Sequence, residues 1–224
     1  MNESANSVRI TMISDFICPW CRIGEKRLAD AIEALPDDIS VSLEMKPFEL
    51  NPDMPQGGMD RHTYRSLKFG SWERSQQLDA GTVAAGAADG VTFNYDILER
   101  TPNTFAAHKL THWAKQHGDA VDVARRILAA YFVEGRDIGS IDVLAKIAEE
   151  AGLDPYSART YLIDPDADGE LRESLREVRK RGVHSVPQFD VEGTIIHGAQ
   201  SASELAEAIS AAAIANAQGM LHAV

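Results

Sequence analysis

Cys18 and Cys21 are the only cysteines of the chain, and they enclose Pro19 and Trp20. A CxxC pair can form and break a disulfide, or supply two of the four ligands of a structural zinc site. Its setting favours redox chemistry. Val8, Ile10 and Met12 alternate with polar residues before it and read as a strand; Ile23, Leu28, Ile32 and Leu35 follow at helical spacing. The pair thus stands where a strand hands over to a helix. There Cys18 meets the unpaired N–H groups and the positive end of the helix dipole, which favour a thiolate, so it is the candidate nucleophile. Cys21 lies one turn further in and suits the resolving role in a mixed disulfide. Pro19 falls in the first turn, where its missing N–H costs nothing. Trp20 brings no charge, so we expect a less strongly oxidising site than one with histidine at that place. A bridge over so short a loop removes little unfolded-state entropy, which argues against a structural staple. For zinc there is no second CxxC; His108 and His112, four apart, are the remaining ligand candidates, and no metal is expected.

The elements that must position this pair follow from periodicity. Ile39, Val41, Leu43 and Met45 give a second strand up to Pro47, so the first fifty residues read β-α-β. The segment Asn51 to Met59 is rich in proline and glycine and reads as a loop. Helices are predicted over Thr63–Leu78, Thr104–His117, Ala120–Glu134, Ile141–Ala151 and Ala167–Arg181. Gln188 to Glu192 and Thr194 to His197 flank Gly193 as a hairpin, and Ser203 is placed as the cap of a last helix, Glu204 to about Ala213, with Glu207 as its capping-box partner. Neither end has enough strands to make a sheet alone. One sheet built from both ends, 8–50 and 182–213, with a helical insertion over 51–181, is the economical arrangement. Val186-Pro187 stands just before the third strand, where proline is ordinary.

Composition narrows the partners. The 224 residues carry 44% hydrophobic and 25% charged side chains, as a globular chain does. A formal net charge of −12 argues against nucleic acid and against an anionic membrane. No apolar run has spanning length. Met1 to Ser7 lacks the order of a signal peptide, so a cytoplasmic location is expected, where cysteine pairs are more often catalytic than structural.

The ordered pieces resemble a known family. Ser14-Asp15 with Cys18-Pro19-Trp20-Cys21, Pro102-Asn103-Thr104 with Ala107-His108, and Tyr131-Phe132 with Glu134-Gly135 and Asp137-Ile138-Gly139 come first. Gly182-Val183 with Val186-Pro187, and Gly198-Ala199-Gln200, complete the series. Together they resemble the DsbA-like thioredoxin-fold oxidoreductases, in their FrnE-like branch. The resemblance implies an α/β thioredoxin-like fold with a large all-helical insertion and exchange at Cys18. It also implies a cis Pro187 beside the dithiol, and a Val186 backbone free to pair with extended substrate. Trp20, Pro19, Asn103 and His108 are the further substrate-binding candidates, the last two facing the dithiol from the insertion. Asp15, three residues before Cys18, either shuttles a proton or merely ends the strand; the second reading is preferred. The expected partners are protein disulfides and thiols or a small thiol; no bound cofactor is expected, and glutathione is the candidate reductant or co-substrate. A homodimer stays open. The alternative is a glutathione-dependent isomerase or transferase related to 2-hydroxychromene-2-carboxylate isomerase and the kappa-class transferases, which typically place serine where Cys18 stands.

Overall fold

The computed structural model describes residues 6–221. Strand β1 (Ser7–Ser14) runs at the centre of a four-stranded sheet of order β2-β1-β5-β6, with β2 (Ser40–Pro47), β5 (Gln188–Val191) and β6 (Thr194–His197). β1 pairs parallel with β2, Ile10 opposite Leu43 and Met12 opposite Met45. It pairs antiparallel with β5, Met12 opposite Phe189 and Ile10 opposite Val191. The two ends of the sequence therefore do share one sheet. The hairpin from β5 to β6 turns through Glu192 and Gly193, both at positive φ, which only glycine takes freely.

The two faces of β1 are covered differently. Val8, Ile10 and Met12 are fully buried in a large apolar cluster with Leu28 of α1 (Pro19–Glu33) and Leu205 and Ile209 of α9 (Ala202–Leu221). Ile13, pointing the other way, joins Phe48, Val178 and Val183, where Val178 belongs to α8 (Gly169–Lys180). Each large side chain so enclosed contributes about 1.5–3 kcal/mol. The large cluster continues into the intervening helices through Leu110 of α4 (Phe105–His117), Ile127 and Phe132 of α5 (Ala120–Phe132), and Leu144 and Ile147 of α6 (Ile141–Glu150).

Several elements depart from the sequence reading. The helix expected over Thr63–Leu78 is two helices, α2 (Arg61–Phe69) and α3 (Trp72–Ala87), because Gly70 takes φ 92° and Ser71 caps the second through the Arg74 N–H. Helix α7 (Pro155–Ile163) was not foreseen; Asp154 caps it and Pro155 opens it. Met59–Asp60 (β3) and Arg100–Thr101 (β4) add a two-residue ladder beside α2. The last helix is longer than expected, and its capping box is Ser201 with Glu204, not Ser203 with Glu207. Ser201 Oγ accepts the Glu204 N–H at 3.2 Å, and Glu204 Oε2 accepts the Ser201 N–H at 3.0 Å.

Candidate active site

Helix α1 starts immediately after Cys18, which is its N-cap in an extended conformation, with Pro19 at the first helical position. The Cys18 carbonyl accepts the N–H groups of Cys21 at 3.1 Å and Arg22 at 3.3 Å, and the Cys18 N–H returns to the Asp15 carbonyl at 3.1 Å. This tight turn places both sulfurs at the top of the sheet. Cys18 is 4% exposed and Cys21 fully buried, whereas Trp20 between them is 44% exposed. Desolvation by burial pushes the Cys21 thiol well above its ordinary value. The adjacent Cys18 and the Asp15 charge push the same way, and the Asp15 backbone amide opposes them.

The Val186–Pro187 peptide bond is cis. Cys18 Sγ donates to the Val186 carbonyl at 3.6 Å, and among the described residues the Val186 N–H donates to no backbone carbonyl. The Pro187 carbonyl accepts the Gly198 N–H at 2.9 Å, tying this loop to the far strand of the hairpin. Arg27 of α1 holds the following turn, its Nη1 donating to Ala199 O at 2.6 Å and its Nε to Asp89 at 2.8 Å. Helix and loop meet at Gly24, where a Cβ would stand 3.0 Å from Pro187 Cγ and 3.1 Å from Phe189 Cζ. A side chain at this position would have to push Pro187 or Phe189 back by a few tenths of an ångström.

Asn103 and His108 are both engaged with neighbouring backbone. Asn103 Nδ2 donates to Met54 O at 2.7 Å and its Oδ1 accepts the Phe105 N–H at 2.9 Å, so it fixes the start of α4. His108 is buried against the Phe16 ring, with Nε2 3.0 Å from Phe48 O and 3.4 Å from Asp15 Oδ1. His112 turns to Glu170 instead, at 3.1 Å, so the two histidines do not converge, and no metal-holding cluster occurs among the described residues. Asp15 does more than end the strand: it is fully buried, and its Oδ2 accepts the Leu50 N–H at 2.7 Å, holding the loop after β2. Beside this loop opens a cavity of about 490 Å³ lined by Glu49, Asn103, Phe105, Lys109, Leu162 and Arg172 among others. Neither cysteine lines it. Gly24 and Glu49 escaped the sequence reading; a glycine inside the helix just after CxxC was the available signal for the first.

Residues 9–210 match the DSBA-like thioredoxin domain. The chain belongs to this family. YwbO of Bacillus subtilis, an uncharacterized protein, is 31% identical over 91% of the chain and 96% of its own length. Among solved structures, SCO1869 of Streptomyces coelicolor, described as a probable DsbA oxidoreductase, superposes with a TM-score of 0.83 at 30% identity, covering 92% of this chain and 89% of that one. The cytosolic disulfide reductase DsbM of Pseudomonas aeruginosa shares the fold, with a TM-score of 0.60 at 19% identity over 95% of this chain and 99% of its own. It is also known with glutathione bound.

Proposed function

We propose that the protein is a thiol–disulfide oxidoreductase in which Cys18 attacks and Cys21 resolves. The carrying observation is the placement of Cys18 Sγ 3.6 Å from the Val186 carbonyl, at the edge of a backbone whose N–H has no main-chain partner among the described residues. An extended substrate paired with Val186 brings its disulfide to Cys18. The Cys18 sulfur displaces one substrate sulfur and forms a mixed disulfide. Cys21 then displaces the second, leaving a Cys18–Cys21 disulfide and two reduced substrate thiols. Exposed Trp20 and half-buried Pro19 present the apolar rim of this surface.

In a cytoplasmic setting the site works as a reductase or isomerase, recharged by a small thiol, for which glutathione is the candidate. The glutathione complex of DsbM supports that choice of reductant. The paired cysteines weigh against the isomerase or transferase alternative, since Cys21 would capture Cys18 rather than leave it free to activate bound glutathione. The test is insulin reduction in a glutathione buffer. Wild type turns over, and Cys18→Ser loses activity by about 100-fold or more, as loss of a nucleophile does. Full turnover by Cys18→Ser, or an inert wild type that isomerises a glutathione adduct, would reverse the assignment.

A further inference from the structure

The cavity of about 490 Å³ has the size of a small-molecule site. It opens between the loop after β2 and the helical insertion. Glu49 enters it from the loop, Phe105 and Ala106 from the first turn of α4, Ile141 from the start of α6, and Leu162 and Ile163 from the end of α7. Phe105, Ile141, Leu162 and Ile163 thus give it an apolar wall. The cations that line it are already matched. Lys109 Nζ donates to Asp168 Oδ1 at 2.6 Å, and Arg172 Nη2 donates to Asp168 Oδ2 at 2.9 Å. The Arg172 guanidinium also lies over the Phe105 ring, 4.5 Å from its centroid. Asn103 is spent on the backbone of Met54 and Phe105.

Glu49 is the exception. It is 9% exposed, it lines the cavity, and among the described residues no donor reaches its carboxylate. Burial lifts its carboxyl above the ordinary value, and the charges of His108, Arg179 and Arg172 offset this only in part. The backbone that carries it is fixed on both sides: the Phe48 carbonyl accepts from His108 Nε2 at 3.0 Å, and the Leu50 N–H donates to Asp15 at 2.7 Å. The Glu49 carbonyl itself accepts from Arg179 at 3.5 Å. The carboxylate is therefore presented to the cavity from a held loop, with its acceptor oxygens unmet.

A desolvated acceptor without a donor is costly to keep. An ammonium supplies what this one lacks, a positive charge and several N–H donors. An anion would meet the Glu49 charge and find Lys109 and Arg172 taken by Asp168. We propose that the cavity binds a small apolar amine, its ammonium donating to Glu49 and its hydrocarbon body lying on Phe105, Ile141 and Leu162. Neither cysteine lines this cavity, and neither do Trp20, Val186 and Pro187, so the proposal stands independently of the thiol–disulfide reading.

The experiment is isothermal titration at neutral pH with phenethylamine, phenethyl alcohol and phenylacetate, which share an aromatic body and differ in the polar end. Wild type binds the amine saturably, one per chain, at about millimolar affinity or better, as its small size allows. The alcohol and the acid bind about tenfold or more weaker, the difference that a charge-assisted hydrogen bond makes. Glu49→Gln brings the amine down to the level of the alcohol and leaves the alcohol unchanged. Ala106→Phe, which fills the cavity from α4, removes binding of the amine. In wild type the backbone amide resonances of Phe105 and Ala106 shift as the amine is added, so the site is read without any variant. No saturable binding of the amine, equal or better binding of the alcohol or the acid, or an amine preference that survives Glu49→Gln would overturn the proposal. So would amine binding that survives Ala106→Phe, the mark of a diffuse attraction to an acidic chain, or unmoved Phe105 and Ala106 resonances.

Discussion

Cys18 and Cys21 are chemically alike, and their surroundings separate them. Cys18 keeps an edge to the surface beside Val186, while Cys21 is sealed beneath it. The buried thiol holds its proton to higher pH than the unfolded chain does, so it ties stability to pH. That contribution is complete below the ordinary thiol value of 9.0 and is lost as pH rises through the raised native value. Burial likewise lifts Tyr131 to about 12 and raises Tyr95, but both act only above the ordinary phenol value of 10.0. Denaturant unfolding of the reduced protein should therefore weaken from about pH 9 upward, and Cys21→Ala should lose the part of that dependence between about pH 9 and 10. Identical profiles for the two proteins would refute it. The pair itself was plain in the sequence, since residue type and spacing carry its chemistry. The weight of Asp15 was not, because ending a strand and lying buried to hold the Leu50 N–H look the same in one dimension.

The elements hold the site by close contacts that periodicity does not encode. Helix α1 was legible from its apolar spacing, but its approach to Pro187 depends on one glycine and on a residue 163 positions away. Gly24→Val is expected to destabilise the fold by about 1–3 kcal/mol through overpacking. It should also slow insulin reduction, as α1 is pushed off the Pro187 loop; thermal melting and turnover check the two effects. Apolar spacing alone merges helices α2 and α3, because the break between them rests on Gly70 and the Ser71 cap. They are held by charge: Asp79 accepts Arg61 at 2.6 Å and Arg65 at 2.5 Å, with Arg61 stacked over Trp72 and Tyr95. Asp79→Ala leaves two partly enclosed guanidinium groups unpaired and should cost about 3–5 kcal/mol. A loss below about 1 kcal/mol in chemical denaturation, the worth of a surface pair, would show the cluster to be solvated.

For the whole molecule, strand character at both ends and helical spacing between them were enough to foretell one sheet completed across the sequence. The order β2-β1-β5-β6 bears this out, and it is what carries Val186 to Cys18 across 168 positions. Chain topology thus brings together a dithiol and a backbone edge that neither end holds alone. What the sequence left unread were the contacts between layers, such as His108 of α4 reaching Asp15 at the end of β1. The account stands on Cys18 as the attacking sulfur with Cys21 as its resolver. Cys21→Ser incubated with a disulfide-bonded peptide, then alkylated and mapped by mass spectrometry, tests it directly. The account predicts a stable mixed disulfide on Cys18 that wild type does not accumulate. No adduct on Cys18 in the variant, or wild-type turnover without Cys21, would contradict it.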